Sequence, residues 1–156
     1  MEVVHKPEMT SPPNPLVSVC IANFNGQEVI AECIDSVLAQ IGAPPIEIIV
    51  HDDASGDESL RILAGYPNVR TLPSDRNVGF CESNNRMVAV ARGKYLLLLN
   101  NDAVLANDAV GSLYEAARAD EHRAILSVPQ FDYRSSVLLD RGLKIDLFAN
   151  PIPVLD

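Results

Sequence analysis

The sequence predicts an α/β fold, a mostly parallel sheet with helices on both faces. Three observations carry that expectation. Short β-branched runs alternate with stretches whose apolar residues recur at one-turn spacing, and the connections between them are short. One run, Tyr95-Leu96-Leu97-Leu98-Leu99, is apolar at every position, the pattern of a central strand covered on both faces. The chain's 156 residues, 47% of them hydrophobic, are enough for one globular domain with a substantial core.

Taken in order, residues 1–15 form a proline-rich leader without periodicity, expected to be extended or disordered, and the domain proper is expected over 16–156. Leu16 to Ala22 reads as the first strand, ending in the turn cluster Asn23-Phe24-Asn25-Gly26. Val29, Ile30, Cys33, Ile34, Val37, Leu38 and Ile41 then trace an amphipathic helix closed by Gly42 and Pro44-Pro45. Ile46 to Val50 is the second strand. Ser55-Gly56-Asp57-Glu58 predicts a capping box before a helix carrying Leu60, Ile62 and Leu63. Val69 to Leu72 is a third strand, Glu82 to Arg92 a helix stopped by Gly93, and Tyr95 to Leu99 the apolar fourth strand. Asn107 is placed to cap a last helix through Val110, Leu113, Tyr114 and Ala117. From Phe131 onward the pattern is of short strands or loops, with turn residues at Asp140-Arg141-Gly142 and Asn150-Pro151.

Composition removes several functions. With 12 Lys+Arg against 21 Asp+Glu the formal charge is −9, which repels phosphate backbones and anionic lipid, so neither nucleic acid nor a membrane surface is an expected partner. No apolar run is long enough to span a bilayer, and the leader lacks the apolar stretch of a signal peptide. Cys20, Cys33 and Cys81 match neither a disulfide framework nor a metal pair; they read as thiols in a reducing, cytoplasmic setting.

In an open parallel sheet, ligands bind beyond the carboxyl ends of the strands. The unusual polar residues collect there: Asn23 and Asn25 after the first strand, His51-Asp52-Asp53-Ala54-Ser55 after the second, Asn100-Asn101-Asp102 after the fourth. Simple capping of the second helix is an alternative for Asp53 and Ser55, and an ordinary strand-to-loop turn is one for Asn100-Asn101-Asp102. Neither a GxxxxGKS loop nor a three-glycine dinucleotide fingerprint is present. Carboxylates at an edge that receives a phosphorylated ligand need a divalent cation between the two negative groups, and Mg²⁺ or Mn²⁺ is held by one or two carboxylates plus phosphate oxygens. Asp102 is the residue read as the metal ligand, leaving Asp52 or Asp53 to accept hydrogen bonds from a base or a sugar hydroxyl.

These residues, met in order, resemble a known family. Val17 to Asn25, Cys33 to Gln40, Ile48 to Asp57, Asn77-Val78-Gly79-Phe80, Asn84-Asn85 and Ala91 to Asp102 are similar to the inverting family 2 glycosyltransferases of the GT-A fold, especially rhamnosyltransferase-like members. The resemblance implies a Rossmann-like nucleotide-sugar-binding domain. It implies that Ala22, Asn23, Asn25, Asn77, Asn100 and Asn101 line the donor pocket and that Asp53, with Asp52, contacts base or ribose. Asn100-Asn101-Asp102 stands where the family carries its DxD motif, with Asp102 on a Mg²⁺ or Mn²⁺ ion; the first Asp is here Asn100, and Ala22 replaces a frequent proline.

The implied reaction transfers a sugar from a UDP- or dTDP-linked donor, with inversion, to a hydroxyl of a saccharide or lipid-linked saccharide. The family's general base, often in a Glu-Asp pair, lies well downstream of DxD. It is expected beyond Asp156, since Asp132, Asp140, Asp146 and Asp156 read as turn or surface residues. On this reading the chain is the donor half of an enzyme, slow or inactive alone, because a missing base costs on the order of 10²–10⁴-fold. The alternative is a non-catalytic nucleotide-sugar-binding or partner-binding module of the same fold. Exposed apolar edges, through which copies would associate, are expected of the first and not of the second.

Overall fold

The computed structural model describes residues 14–119, 125–140, 143–145 and 151–153. The leader, except Asn14 and Pro15, lies outside them, as do Arg141, Gly142, Asp146, Asn150 and Asp156. Elements follow in the expected alternation: β1 (Val17–Asn23), α1 (Ile30–Leu38), β2 (Ile46–Asp52), α2 (Ser59–Leu63), β3 (Val69–Pro73), α3 (Phe80–Val88), β4 (Tyr95–Asn100) and α4 (Ala109–Ala119). The chain divides into two compact units after Tyr114. The second unit contains two short antiparallel ribbons, β5 (Gln130–Phe131) with β6 (Leu138–Asp140) and β7 (Leu143–Ile145) with β8 (Pro151–Pro153).

In the first unit the sheet has order β3-β2-β1-β4 and every pairing is parallel. Alternation along the strands divides their side chains between two faces. Val17, Val19 and Ile21 lie in register with Ile48 and Val50 on one side and Leu97 and Leu99 on the other, and they pack against Ile30, Cys33, Ile34 and Val37 of α1, with Leu63 and Val110. Cys20 and Ile49 face the other way, under Met87 of α3. Helices thus cover both faces, as expected. Each fully buried aliphatic side chain here contributes roughly 1.5–3 kcal/mol.

The apolar β4 is not central. It is the sheet's edge among the described residues, and although Leu97 and Leu99 join the α1 face, Leu96 and Leu98 remain 46% and 53% exposed on the other. The run was correctly a strand. Its position differs because periodicity reports which faces want cover and cannot report which neighbour supplies it.

Three local expectations also change. The Ser55/Glu58 capping box does not form: Asp57 Oδ1 accepts the Ser59 N–H at 2.9 Å, Glu58 pairs with Arg61, and Ser55 is used elsewhere. The last helix starts at Ala109, so Asn107 precedes the cap position and its carbonyl accepts the Ile41 N–H at 2.7 Å. Gly93 is not a helix stop, since α3 ends at Val88; a Cβ on Gly93 would collide with the Ser18 and Val17 backbone, so the glycine allows the chain to pass against β1.

That crossing is fastened by a buried carboxylate. Glu47 is 2% exposed and accepts from Ser18 Oγ at 2.6 Å, Arg92 N–H at 2.6 Å and Arg92 Nε at 3.0 Å, while Ser18 Oγ also accepts from Gly93 N–H at 2.8 Å. Burial alone would raise the Glu47 pKa, but the Ser18 hydroxyl and the two Arg92 donors outweigh it and hold the carboxyl below its ordinary range. Its folded pKa being the lower one, the stabilisation is complete above the ordinary glutamate range and is lost as the pH falls through and below about 4. Glu47→Gln is expected to cost about 2–3 kcal/mol at neutral pH, the lower end for a buried pair because Arg92 is half-exposed. Urea titrations from pH 7 to 3 should show a steeper acid loss in the wild type than in the variant, and parallel curves would exclude Glu47 as the titrating group.

Candidate functional site

The carboxyl ends of β1, β2 and β4 meet at one edge, and a buried hydrogen-bond network joins them. Register pairs Asn23 with Asp52 on the α1 face. Asn23, 1% exposed, donates from Nδ2 to Asp52 Oδ1 at 2.9 Å and accepts at Oδ1 from Asn101 Nδ2 at 2.9 Å. Asp52, fully buried, also accepts from Ser55 Oγ at 2.7 Å and Ser55 N–H at 3.1 Å. Gly26 lies against this strut: a Cβ there would collide with both Asn23 Oδ1 and Asn101 Nδ2.

The loop after β1 and the loop after β2 are stitched together. Asn25 donates its N–H to Ser55 Oγ at 2.9 Å and accepts from Gly56 N–H at 2.8 Å. Gln27 N–H reaches Asp57 Oδ2 at 2.9 Å, Glu58 N–H reaches Gln27 Oε1 at 3.1 Å, and Gly26 N–H reaches Ser59 Oγ at 3.1 Å. Partial desolvation is the largest single influence on Asp57 and would raise its pKa, but donation from Ser59 and the Gln27 N–H together outweighs it and holds the carboxyl below the ordinary range. Asn25 takes a left-handed backbone, φ 50°, which asparagine tolerates.

Asp53, 4% exposed, reaches the third loop. Its two oxygens accept from Val78 N–H at 2.7 Å and Gly79 N–H at 2.8 Å, fixing the turn into α3. Asp53 therefore does not cap α2, the alternative open to it in sequence. A carboxylate has about four acceptor positions, so Asp53 retains capacity toward a ligand. His51, one residue before Asp52, is buried, and burial keeps its pKa low against the opposing pull of Asp53, so it is neutral at pH 7.

The expected residues thus separate by placement. Asn23, Asn25, Asp52, Asp53 and Asn101 are engaged with one another or with neighbouring loops. Asn77, Asn100 and Asp102 are exposed, and Ala22 is half-buried at the end of β1. Asp102 makes no hydrogen bond or ion pair among the described residues. Its charge adds to burial in pushing the Cys33 thiol up to about 12, and Cys33 Sγ lies 3.4 Å from the Asn100 carbonyl.

No group of three or more His, Cys, Asp or Glu able to hold a metal occurs among the described residues. An exposed carboxylate such as Asp102 fits a hard cation shared with a diphosphate, since Mg²⁺ and Mn²⁺ take most of their ligands from phosphate and water. Sequence reasoning missed Ser55, Gln27 and Asp57 as loop fasteners. It also passed over Phe24 and Phe80, which are 50% and 58% exposed and border the two loops that Asn25 and Asp53 secure. An aromatic between two asparagines in a turn, as at Phe24, was the available signal. Asp132, in the second unit, accepts from Ser135 Oγ at 2.6 Å and Ser135 N–H at 2.7 Å, which together hold it ionised, and so serves a turn as expected.

Fold and edge together define an α/β domain that gathers polar side chains at the carboxyl ends of a parallel sheet. The sequence matches the model of glycosyl transferase family 2 over residues 18–151, and the chain belongs to that family. It is 36% identical over 110 residues to chondroitin synthase of Escherichia coli, covering 68% of this chain and 16% of that protein. Among solved structures, Staphylococcus aureus TarS 1–349 in complex with UDP-GlcNAc aligns with a TM-score of 0.58 at 24% identity, over 76% of this chain and 38% of that one. The mannosyltransferase PcManGT of Pyrobaculum calidifontis, in complex with GDP-Man and Mn²⁺, aligns with a TM-score of 0.60 at 21% identity, over 67% and 32%. The chain thus spans well under half the length of each. These likenesses agree with the GT-A fold. No helix among the described residues is long and apolar enough to cross a membrane.

Proposed function

We propose that this chain supplies the donor site of a glycosyltransferase. It binds the diphosphate of a UDP- or dTDP-linked sugar, and the sugar passes with inversion to a hydroxyl of a saccharide or lipid-linked saccharide. The observation that carries the reading is the contrast at the edge: three strand ends locked together by buried polar bonds, with the Asp102 carboxylate left uncommitted beside them.

Asn100 and Asp102 face the diphosphate, Asp53 and Asn77 the base or ribose, and the main chain at Ala22 lines the pocket floor. Asn23, Asn25, Asp52 and Asn101 hold these groups in place. A polar network whose members are already paired costs no reorganisation when the ligand arrives. Asp102 would hold a Mg²⁺ or Mn²⁺ ion, which when bound supplies positive charge to a departing diphosphate. The buried free thiols Cys20 and Cys33 suit a reducing, cytoplasmic compartment.

Calorimetry of the chain with UDP, dTDP and GDP, each with and without Mn²⁺, tests the reading. Binding to UDP or dTDP that tightens with Mn²⁺ is expected, and Mn²⁺-dependent binding to GDP alone overturns the UDP- or dTDP-linked donor. An absence of metal-dependent heat with all three refutes it.

A further inference from the structure

The motif running from Cys33 in α1 to Gln40 just past its end holds two polar residues, Ser36 and Gln40, for which a donor site at the strand ends has no direct use. Both turn inward from half-buried positions. Gln40 ties α1 to the segment after β4: Nε2 donates to the Ala106 carbonyl at 2.7 Å and, within its own turn, to the Ser36 carbonyl at 3.1 Å, and Oε1 accepts the Val110 N–H at 2.8 Å. Ser36 Oγ accepts the Leu105 N–H at 3.1 Å and donates to the Cys33 carbonyl at 2.7 Å. Next to them, Ile41 N–H donates to the Asn107 carbonyl.

We propose that Ser36 and Gln40 are positioning residues for Asp102. The segment that carries Asp102 is fastened on its upstream side, where Asn101 meets Asn23 and Cys33 meets the Asn100 carbonyl. Ser36 and Gln40 fasten its downstream side. Between the two lies the exposed turn with Asp102. An unfastened loop would have to be ordered when a cation and a diphosphate bind, at roughly 1–2 kcal/mol per residue fixed. Fastening the turn beforehand moves that cost from binding to folding.

The inference rests on the donor-site reading, and its test separates the two. The quantity to measure is the factor by which Mn²⁺ tightens binding of whichever of UDP, dTDP and GDP binds the wild-type chain best. Gln40→Met keeps the side-chain length and removes the amide. It is expected to reduce that factor about tenfold, in the range usual for residues that orient a metal ligand. Metal-free nucleotide affinity should change little. In the Gln40→Met/Asp102→Ala double variant the loss should be no greater than in Asp102→Ala alone, because both act through one carboxylate. Ser36→Ala, which removes one hydroxyl and keeps the whole Gln40 amide, is expected to lose less and replaces Gln40→Met if that variant fails to fold. Hydrogen exchange of the nucleotide-free chain should show faster exchange at Leu105 and Val110 in the corresponding variants.

A lowered melting temperature with an unchanged Mn²⁺ factor overturns the inference and leaves the donor site standing, since it assigns Ser36 and Gln40 to helix packing alone. Where Asp102→Ala leaves a residual Mn²⁺ factor, a further loss of that factor in the double variant as large as in Gln40→Met alone overturns it likewise. A wild-type chain without any Mn²⁺ factor removes the donor-site reading, and the inference with it.

Discussion

Asp102→Ala is expected to abolish the Mn²⁺-dependent part of nucleoside diphosphate binding, a loss of roughly 100-fold in affinity at saturating metal, while the chain folds as before. The size follows from chemistry. Asp102 is the exposed carboxylate at this edge, and a hard divalent cation between protein and diphosphate depends on at least one such oxygen ligand. Conservation of the fold follows from its surroundings. Asp102 makes no hydrogen bond or ion pair among the described residues, so its removal leaves no buried partner orphaned, and an exposed substitution of this kind shifts stability by about 0.5 kcal/mol or less. The measurement is paired titrations of wild type and variant with nucleotide, with and without Mn²⁺, beside a thermal melt. An unchanged Mn²⁺ response in a folded variant would remove Asp102 from the site.

Asp52→Ala should have the opposite profile: a large loss of stability. Asp52 is fully buried and accepts from Asn23 Nδ2, Ser55 Oγ and Ser55 N–H. Alanine leaves the Ser55 hydroxyl and N–H without their acceptor and the Asn23 amide with only its long 3.4 Å bond to Ser55 Oγ, each loss costing about 1–3 kcal/mol if the group stays dry. With some water entering, a total of about 3–5 kcal/mol is expected, a large share of the roughly 5–15 kcal/mol that holds a domain together. The melting temperature should fall by about 10 °C or more. Circular dichroism melts of the two variants side by side make the contrast plain, and an Asp52→Ala melt close to wild type would show that the strut contributes little.

Much of the fold was legible because its causes are local. Val17, Val19 and Ile21 alternate and Ile30, Cys33, Ile34 and Val37 recur by turns, so strand and helix were written in spacing alone. What spacing omits is partnership. The Ser55-to-Glu58 stretch has the composition of a capping box, yet Asp52 and Asn25 compete for Ser55 more effectively than the helix amides do; Asn25 comes from a loop 30 residues away, and spacing does not show that the nearby Asp52 carboxylate turns back onto Ser55. The same applies to Glu47, which in sequence is one polar residue in an apolar strand and in the structure binds three donors from two other segments.

The site was legible as a set of positions and less so as a division of labour. That Asn23, Asp52, Asp53 and Asn100-Asn101-Asp102 would gather at one edge follows from the parallel sheet. Which would be consumed in holding the edge and which would face outward depends on register, and register pairs Asn23 with Asp52. The Gln40 amide illustrates the limit: nothing in a helix pattern tells that its last polar residue reaches over to a different loop.

The pairing of β1 with β4 also sets the order in which the molecule is assembled. As the chain is synthesised, β1, β2 and β3 emerge and pair in turn, but the outer side of β1 has no partner until Tyr95 to Asn100 arrives. Parallel pairings between distant segments are intrinsically slow to form. Until this one forms, a run of four consecutive leucines stands beside an open strand edge, a sticky combination for any neighbouring chain. Cooler, slower synthesis, which gives β4 time to dock before chains meet, is expected to raise the soluble yield.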